Sequence, residues 1–106
     1  MMKKEDEYSR RTRLLLCIHQ ALLGEIIPNM RAVYINWDDE SVELYFIFDG
    51  EISEDDEERA SCIETKMISS FLQPWDNSNF AFQCIRIDSP QPIQCNFKEC
   101  VFLRKE

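Results

Sequence analysis

Apolar residues recur at helical spacing in two parts of the chain, which predicts two amphipathic helices. The first is expected from about Tyr8 to Gly24, with an apolar face of Leu14, Leu15, Ile18, Leu22 and Leu23. The second is expected from Ser53 to about Leu72, with an apolar face of Ala60, Ile63, Met67, Ile68 and Phe71. Ser53 is a typical N-cap residue, and the carboxylates after it suit the positive end of a helix dipole.

Four other segments alternate apolar and polar residues, as half-buried strands do. They are Arg31 to Trp37, Ser41 to Phe48, Phe80 to Ile87 and Lys98 to Arg104. The short acidic stretch between the first two segments predicts a turn, so these two strands should form an antiparallel hairpin. Pro90 and Pro92 indicate a loop before the last strand.

The predicted order of elements is therefore α-β-β-α-β-β. Two helices that each bury one apolar face are expected to pack on one side of a small sheet. The fold class is accordingly α+β, a two-layer sandwich with a mainly antiparallel four-stranded sheet, and the pattern leaves the strand order open. A length of 106 residues suits one domain, here taken as residues 1–106.

Charge is distributed very unevenly. Between Asp38 and Glu58 the chain carries eleven carboxylates and no Lys or Arg, and its net charge is −8. Such a chain is not expected to bind nucleic acid or anionic lipid directly, because both select clustered cations. A cationic protein is the natural partner. An acidic segment also stabilises a helix start and keeps a protein soluble, so the charge alone does not establish an interface.

The interface hypothesis combines these carboxylates with two nearby aromatic residues as apolar anchors. The predicted partner-binding residues are Trp37, Asp38, Asp39, Glu40, Glu43, Tyr45, Asp49, Glu51, Glu54, Asp55, Asp56, Glu57 and Glu58. Trp37 is equally compatible with the core, since it shares a strand face with Val33 and Ile35. The arginines at positions 10, 11 and 13 are expected to form a solvated face of the first helix.

Catalytic chemistry has few candidates. His19 is the sole histidine, and a hydrolase built on His19 or Cys62 is an alternative that a pocket with perturbed titrating groups would favour. The segment from Asp49 to Asp56 matches only the second half of a calcium-binding EF-hand loop. The two glycines exclude a phosphate-binding loop. We therefore predict no catalytic residue, no metal and no cofactor.

The cysteines are odd in number and lack a C-x-x-C pair, which disfavours a disulfide framework or a zinc site. Reduced and buried thiols are expected at Cys17, Cys62, Cys84, Cys95 and Cys100. This usage indicates the cytoplasm. No apolar stretch approaches the ~20 residues that a membrane-spanning helix requires.

Several segments resemble the CdiI-type immunity proteins of bacterial contact-dependent growth inhibition systems. They are Ala21-Leu22-Leu23-Gly24-Glu25-Ile26, Arg31-Ala32-Val33-Tyr34-Ile35, Phe46-Ile47-Phe48-Asp49-Gly50-Glu51-Ile52-Ser53 and Ala60-Ser61-Cys62, together with Arg13-Leu14-Leu15-Leu16 and Leu103-Arg104-Lys105-Glu106. The likeness runs from about Arg13 to the end of the chain.

The resemblance implies a cytoplasmic inhibitor without enzymatic activity. Its partner would be a cognate basic toxin nuclease, the C-terminal region of a CdiA protein, with an EndoU-type RNase preferred. Binding would cover the active site or the RNA-binding surface of the toxin. The alternative is an acidic adaptor or nucleic-acid mimic that binds a basic host protein, and the same carboxylates would serve it.

Overall fold

The computed structural model describes residues 6–72, 76–93 and 96–106. In these ranges the elements are α1 (Glu7–Leu22), β1 (Met30–Trp37), β2 (Ser41–Phe48), α2 (Glu54–Phe71), β3 (Asn79–Arg86) and β4 (Glu99–Leu103). The predicted order is confirmed, and the observed bounds lie within two residues of the expected ones.

The four strands form one sheet with the order β3-β2-β1-β4. The central strand β1 pairs antiparallel with both β2 and β4, which confirms the predicted hairpin and the mainly antiparallel sheet. β2 and β3 are parallel, because α2 connects them and returns the chain to the end of the sheet where β2 began.

The start of α2 is fixed by a capping box. Ser53 Oγ accepts a hydrogen bond from the backbone N–H of Asp56 at 3.1 Å, and Asp56 Oδ2 accepts one from the backbone N–H of Ser53 at 3.0 Å. Asp56 Oδ2 also accepts a bond from Asn29 Nδ2 at 3.1 Å. The predicted cap is confirmed, and it shows that one carboxylate of the acidic segment is part of the fold.

The main core lies between the two helices and one face of the sheet. It contains Leu14 and Ile18 from α1, Ile63, Met67 and Phe71 from α2, and the strand residues Val33, Ile35, Trp37, Val42, Leu44, Phe46 and Phe48. Each fully buried side chain of this size contributes about 1.5–3 kcal/mol of transfer free energy. Trp37 is 7% exposed. The structure therefore supports its interpretation as a core residue.

The opposite face of the sheet carries a smaller apolar cluster. Ala32, Tyr34 and Ile47 are buried there beneath Ile87, Ile93 and Phe97, which belong to the connection between β3 and β4. The ring of Phe97 lies 4.8 Å from that of Tyr34 and 4.6 Å from that of Tyr45. This connection therefore covers the centre of a face that would otherwise be open to solvent.

Arg31 holds this connection and the end of the chain together. Its guanidinium is 3% exposed, and it donates to both carboxylate oxygens of Glu106, at 2.6 and 2.7 Å. It also donates to the carbonyl oxygens of Ile87 at 2.8 Å and Gln91 at 2.9 Å. A bidentate pair of this kind is strong for its size, and it lowers the pKa of Glu106 to about 2.

The arginines of α1 do not form a solvated face, so that expectation was wrong. Arg10 is 6% exposed and donates to the carbonyl of Asp38 at 2.9 Å and to Ser78 Oγ at 2.8 Å. Arg13 lies 3.9 Å above the ring of Phe71, and Arg11 pairs with Glu99 at 2.6 Å. Long side chains cover apolar surface with their stems, and here their charged ends meet acceptors presented by the sheet and by α2.

The expected burial of the thiols is only partly found. Cys17 is half-buried, but Cys62 and Cys100 are exposed. Cys84 is half-buried, and burial raises the pKa of its thiol to about 11. Cys95 lies outside the described residues. In the described ranges no helix combines the length and the apolar character needed to cross a membrane.

Candidate functional site

The structure separates the acidic segment into two groups. β2 runs between them for eight residues, which is about 25 Å at ~3.3 Å per residue. At its start lies the turn group, which we define as Asp38, Asp39, Glu40 and Glu43. Beyond its end lies the helix group, which we define as Glu51, Glu54, Asp55, Glu57 and Glu58. The thirteen predicted residues therefore do not form one continuous patch.

Internal hydrogen bonds hold much of the turn group. Asp38 Oδ1 accepts bonds from the backbone N–H of Glu40 at 2.8 Å and from the N–H and hydroxyl of Ser41 at 2.7 and 3.0 Å. The bond from Glu40, followed by those from Ser41, lowers the pKa of Asp38. This is the hydrogen-bonding pattern by which Asp fixes a turn. Asp38 thus organises the hairpin.

Tyr45 and Glu43 form a pair on the face of the sheet opposite the helices. The Tyr45 hydroxyl donates to Glu43 Oε2 at 2.9 Å. Burial, then this hydrogen bond to Glu43, raises the pKa of Tyr45. Because the Tyr45 ring also packs on Phe97, it is half-buried and contributes to the small apolar cluster.

A cleft of about 310 Å³ lies beside the turn group. It is lined by Asn36, Trp37, Asp38, Ser41, Glu43, Asn96 and Lys98. Lys98 Nζ sits 4.7 Å from the centre of the Trp37 ring, a cation–π contact. A positive charge therefore stands at the turn end of the molecule and offsets part of the negative potential there.

The helix group has a different environment. All five members are exposed, and within the described residues no Lys or Arg forms an ion pair with any of them. The nearby cations are engaged elsewhere, since Arg59 and Lys66 both bind Glu25, at 3.1 and 3.0 Å. A helix N-terminus supplies only about +0.5 of an elementary charge, which is far less than the charge of five carboxylates.

The two remaining predicted carboxylates have structural partners. Asp56 completes the capping box, and Asp49 binds Arg104 Nη2 at 2.9 Å. The hydrogen bond from Arg104, followed by one from the backbone of Ser89, lowers the pKa of Asp49. Both residues belong to the segment that resembles half of an EF-hand loop. Across the described residues no group of three or more potential metal ligands is assembled.

Sequence reasoning missed an exposed apolar surface on α1. Leu23 was expected on the core-facing side but is 75% exposed, and Tyr8 and Leu16 are 76% and 61% exposed. Leu23 lies just beyond the end of α1 as its C-cap, with ψ of 121°. The chain leaves the helix there, so helical periodicity no longer sets the direction of that side chain.

The described residues form a small α+β domain with an exposed group of carboxylates around the start of α2. The chain belongs to the MafI2 immunity protein family, whose sequence model matches residues 11–106. None of the curated proteins compared with the chain matches it.

The family confirms the predicted class of protein. The chain is an immunity protein of a polymorphic toxin system. The matched range begins near the arginine-rich part of α1 and includes every strand, as the expected likeness from about Arg13 did. The family that matches is MafI2, so the match supports an immunity protein in general and not the CdiI type in particular.

Proposed function

We propose that this protein neutralises a cationic toxin nuclease by binding it through the helix group. The family indicates a toxin as the partner. Nucleases that act on RNA carry basic surfaces because they must neutralise phosphates. An acidic inhibitor can occupy such a surface with complementary charge, and the active site or the RNA-binding surface is then covered. We propose an EndoU-type RNase domain as the first toxin to test, and the C-terminal region of a CdiA protein as one source of it.

The observation that carries this proposal is the difference in charge compensation between the two acidic groups. The helix group is exposed and has no ion pair within the described residues, whereas the turn group faces Lys98 and is partly held by internal hydrogen bonds. Electrostatic steering depends on uncompensated potential. We therefore place the helix group at the contact and the turn group at its edge or outside it.

The mode of action that we propose is binding without catalysis, in the cytoplasm, where the toxin would act. His19 lies exposed in the last turn of α1, a position that suits solvent better than a pocket. An interface of standard size buries about 800 Å² on each partner. The helix group would set the association rate, and neighbouring apolar residues would set the dissociation rate.

Two variants with the same change in net charge test the proposal. Glu54→Lys/Glu58→Lys alters the helix group, and Asp39→Lys/Glu40→Lys alters the turn group. At about 50 mM salt we expect the first variant to slow association with the toxin at least tenfold and the second to slow it about threefold or less. The measurement is the association rate constant at several salt concentrations, with the domain encoded beside this gene as the toxin.

Cell protection gives a second measurement. Cells that express the toxin should lose protection with the helix-group variant and keep it with the turn-group variant. Equal slowing by both variants would mean that net charge acts without a defined surface. Unchanged association with the helix-group variant at low salt would remove α2 from the interface.

A further inference from the structure

One edge of the sheet is formed by β3, which pairs only with β2 in the order β3-β2-β1-β4. The N–H of Asn79 donates to the carbonyl of Glu40 at 2.8 Å. Eight residues later, the N–H of Ile87 donates to the carbonyl of Phe48 at 3.0 Å. Backbone groups point to alternate sides along a strand, so every second residue of β3 points its N–H and C=O away from β2. These residues are Phe80, Phe82, Cys84 and Arg86.

β3 lacks the features by which edge strands usually avoid pairing with other chains. Such features are short length, charged side chains, prolines and bulges. The register of β3 with β2 continues without a bulge over eight residues, and Arg86 at its end is its only charged residue. β4, the other edge strand, has five residues, begins with Glu99 and pairs with β1 in an irregular register. Within the described residues, no other backbone group bonds to the free edge of β3.

The side chains of β3 are less buried than those of the central strands. Phe80, Phe82 and Cys84 lie on the side of the helices and are half-buried against the main core. Ala81 and Gln83 on the other side are exposed and uncharged. An added strand would bury more of the two phenylalanine rings and would desolvate no charged side chain along most of β3.

The helix group lies beside the last part of this edge. Phe48 at the end of β2 is level with Arg86 at the end of β3, and α2 begins at Glu54, a few residues after Phe48. Burial, and after it the negative charge of Glu57, raises the pKa of the Cys84 thiol to about 11. The free edge of β3 and the helix group are therefore neighbouring parts of one surface.

We propose that the free edge of β3 binds an extended segment of the toxin as an additional strand, with cationic side chains towards the helix group. This inference rests on the proposed function, because the toxin is its occupant. In strand addition, main-chain hydrogen bonds supply affinity and side chains at alternate positions supply specificity. Side chains that point to the helix side near Cys84 would approach Glu57. We therefore expect Lys or Arg at every second position of that part of the toxin segment.

Charge distinguishes a toxin segment from a second copy of this chain. Two chains that each carry −8 repel one another, whereas the helix group attracts a cationic segment to the adjoining edge. The two parts of the surface then act on different rates. Carboxylates raise the association rate, and main-chain hydrogen bonds with buried phenylalanine rings lower the dissociation rate.

Two substitutions of Cys84 test the role of the edge, with the domain encoded beside this gene as the toxin. Cys84→Ala removes the thiol and keeps the outward N–H, whereas Cys84→Pro removes both. Because this N–H points away from β2, proline here breaks no hydrogen bond of the sheet. We expect Cys84→Pro to dissociate from the toxin about tenfold faster than Cys84→Ala, with association rates that agree within about threefold. Circular dichroism should show both variants folded.

Amide hydrogen exchange of the wild type gives a second measurement that needs no substitution. In the free protein, the amides of Phe82 and Cys84 should exchange fast, and those of Ala81 and Gln83, which point to β2, should exchange slowly. Toxin binding should slow exchange at Phe82 and Cys84 about tenfold or more. The amides at the free edge of β4 are the control and should not change.

Strand addition is overturned if the amides of Phe82 and Cys84 exchange equally fast in the free protein and in the complex. It is also overturned if Cys84→Pro folds and dissociates as slowly as Cys84→Ala. If Glu54→Lys/Glu58→Lys still slows association in either case, the proposed function stands and strand addition alone fails. A wild type that does not bind the toxin overturns both. If Cys84→Pro does not fold, the exchange measurement decides.

Discussion

The turn group and the helix group have the same kind of residues but play different physical roles. In the turn group, Asp38 accepts three hydrogen bonds within the hairpin, and Lys98 stands nearby over Trp37. In the helix group, the side chains are exposed and no cation pairs with them within the described residues. Carboxylates that serve the fold have their negative charge offset by donors, whereas those of the helix group are exposed at the surface where we propose that the partner binds.

Positive charges of the molecule are also engaged by the fold. Arg10 and Arg13 lie on α1, yet their guanidinium groups are bound to Asp38, Ser78 and Phe71. They strengthen the turn end of the molecule. At the other end of the sheet, Arg86 pairs with Asp88 and Arg104 pairs with Asp49, so the cations of both ends are held by acceptors outside the helix group.

The largest expected effect concerns the anchoring of the turn end. Arg10→Leu removes the bonds to Asp38 and Ser78 and leaves Asp76, whose side chain is 5% exposed, with one cation fewer. We expect a loss of about 3 kcal/mol in the free energy of unfolding, measured by urea denaturation, because breaking a buried charge pair is strongly destabilising.

Arg11→Leu is the matched control for that prediction. Arg11 pairs with Glu99, but its side chain is 43% exposed, and such pairs contribute about 0–1 kcal/mol. A similar loss of stability in both variants would show that the arginines of α1 act alike, and that burial of Arg10 has no special role.

A smaller effect should separate two neighbours in sequence. Asp56→Ala removes the capping box and the bond to Asn29, so we expect a loss of about 1–2 kcal/mol in unfolding free energy. Asp55→Ala changes an exposed residue of the helix group and should stay within about 0.5 kcal/mol. The order should reverse for toxin association at low salt, where Asp55→Ala is expected to be the slower variant. Equal effects of the two substitutions in both measurements would mean that Asp56 has no special role in the fold and Asp55 none in toxin binding.

Some of these features could be predicted from the sequence and others could not. The elements and the cap at Ser53 were predictable, because helical and strand periodicity and N-cap preferences act over a few residues. The burial of Trp37 was one of two readings, since a tryptophan at the end of a strand suits the core and an interface equally well. The expected solvation of Arg10 was wrong because its acceptors, Asp38 and Ser78, lie 28 and 68 positions away.

The carboxylates of the candidate site can be listed from the sequence, but their arrangement in the structure could not be predicted from it. The thirteen residues were selected as one surface, and the eight-residue β2 then carried them to two ends of the sheet. Which carboxylates are engaged depends on long-range partners such as Arg104 for Asp49. The strand order depends on α2 returning the chain for a parallel pairing, a choice that local patterns do not contain.

Acid should weaken the contribution of an engaged carboxylate. The pKa of Glu106 lies at about 2, below its usual value of 4.5, chiefly because Arg31 donates to it. A depressed pKa in the folded state means that the stabilisation is fully present above about pH 4.5 and is lost as the pH falls towards 2. The stability difference between the wild type and Glu106→Gln should therefore shrink over this window.

Thermal melting of both proteins between pH 5 and pH 2 measures that difference. Lys105→Gln provides a control next to it, because Lys105 is exposed and does not contact Arg31 in the described structure. Its difference from the wild type should not follow the same window. A difference in melting temperature between the wild type and Glu106→Gln that stays constant at all pH values would mean that protonation of Glu106 is not linked to folding.

The smallest effect has an unusual sign and tests the helix group itself. Glu54 and Glu58 are exposed and lie four positions apart on α2, a spacing at which like charges destabilise a helix by about 0.2–0.5 kcal/mol. Glu58 lies beyond the first turn, where the helix dipole no longer compensates. Glu58→Gln should therefore stabilise the protein by about 0.3 kcal/mol while slowing toxin association, whereas Glu40→Gln should change neither.

At about 1 M salt the gain in stability should vanish, since the screening length falls to about 3 Å. A Glu58→Gln variant that is less stable than the wild type would show that Glu58 serves the fold, and the helix group would then lose one member.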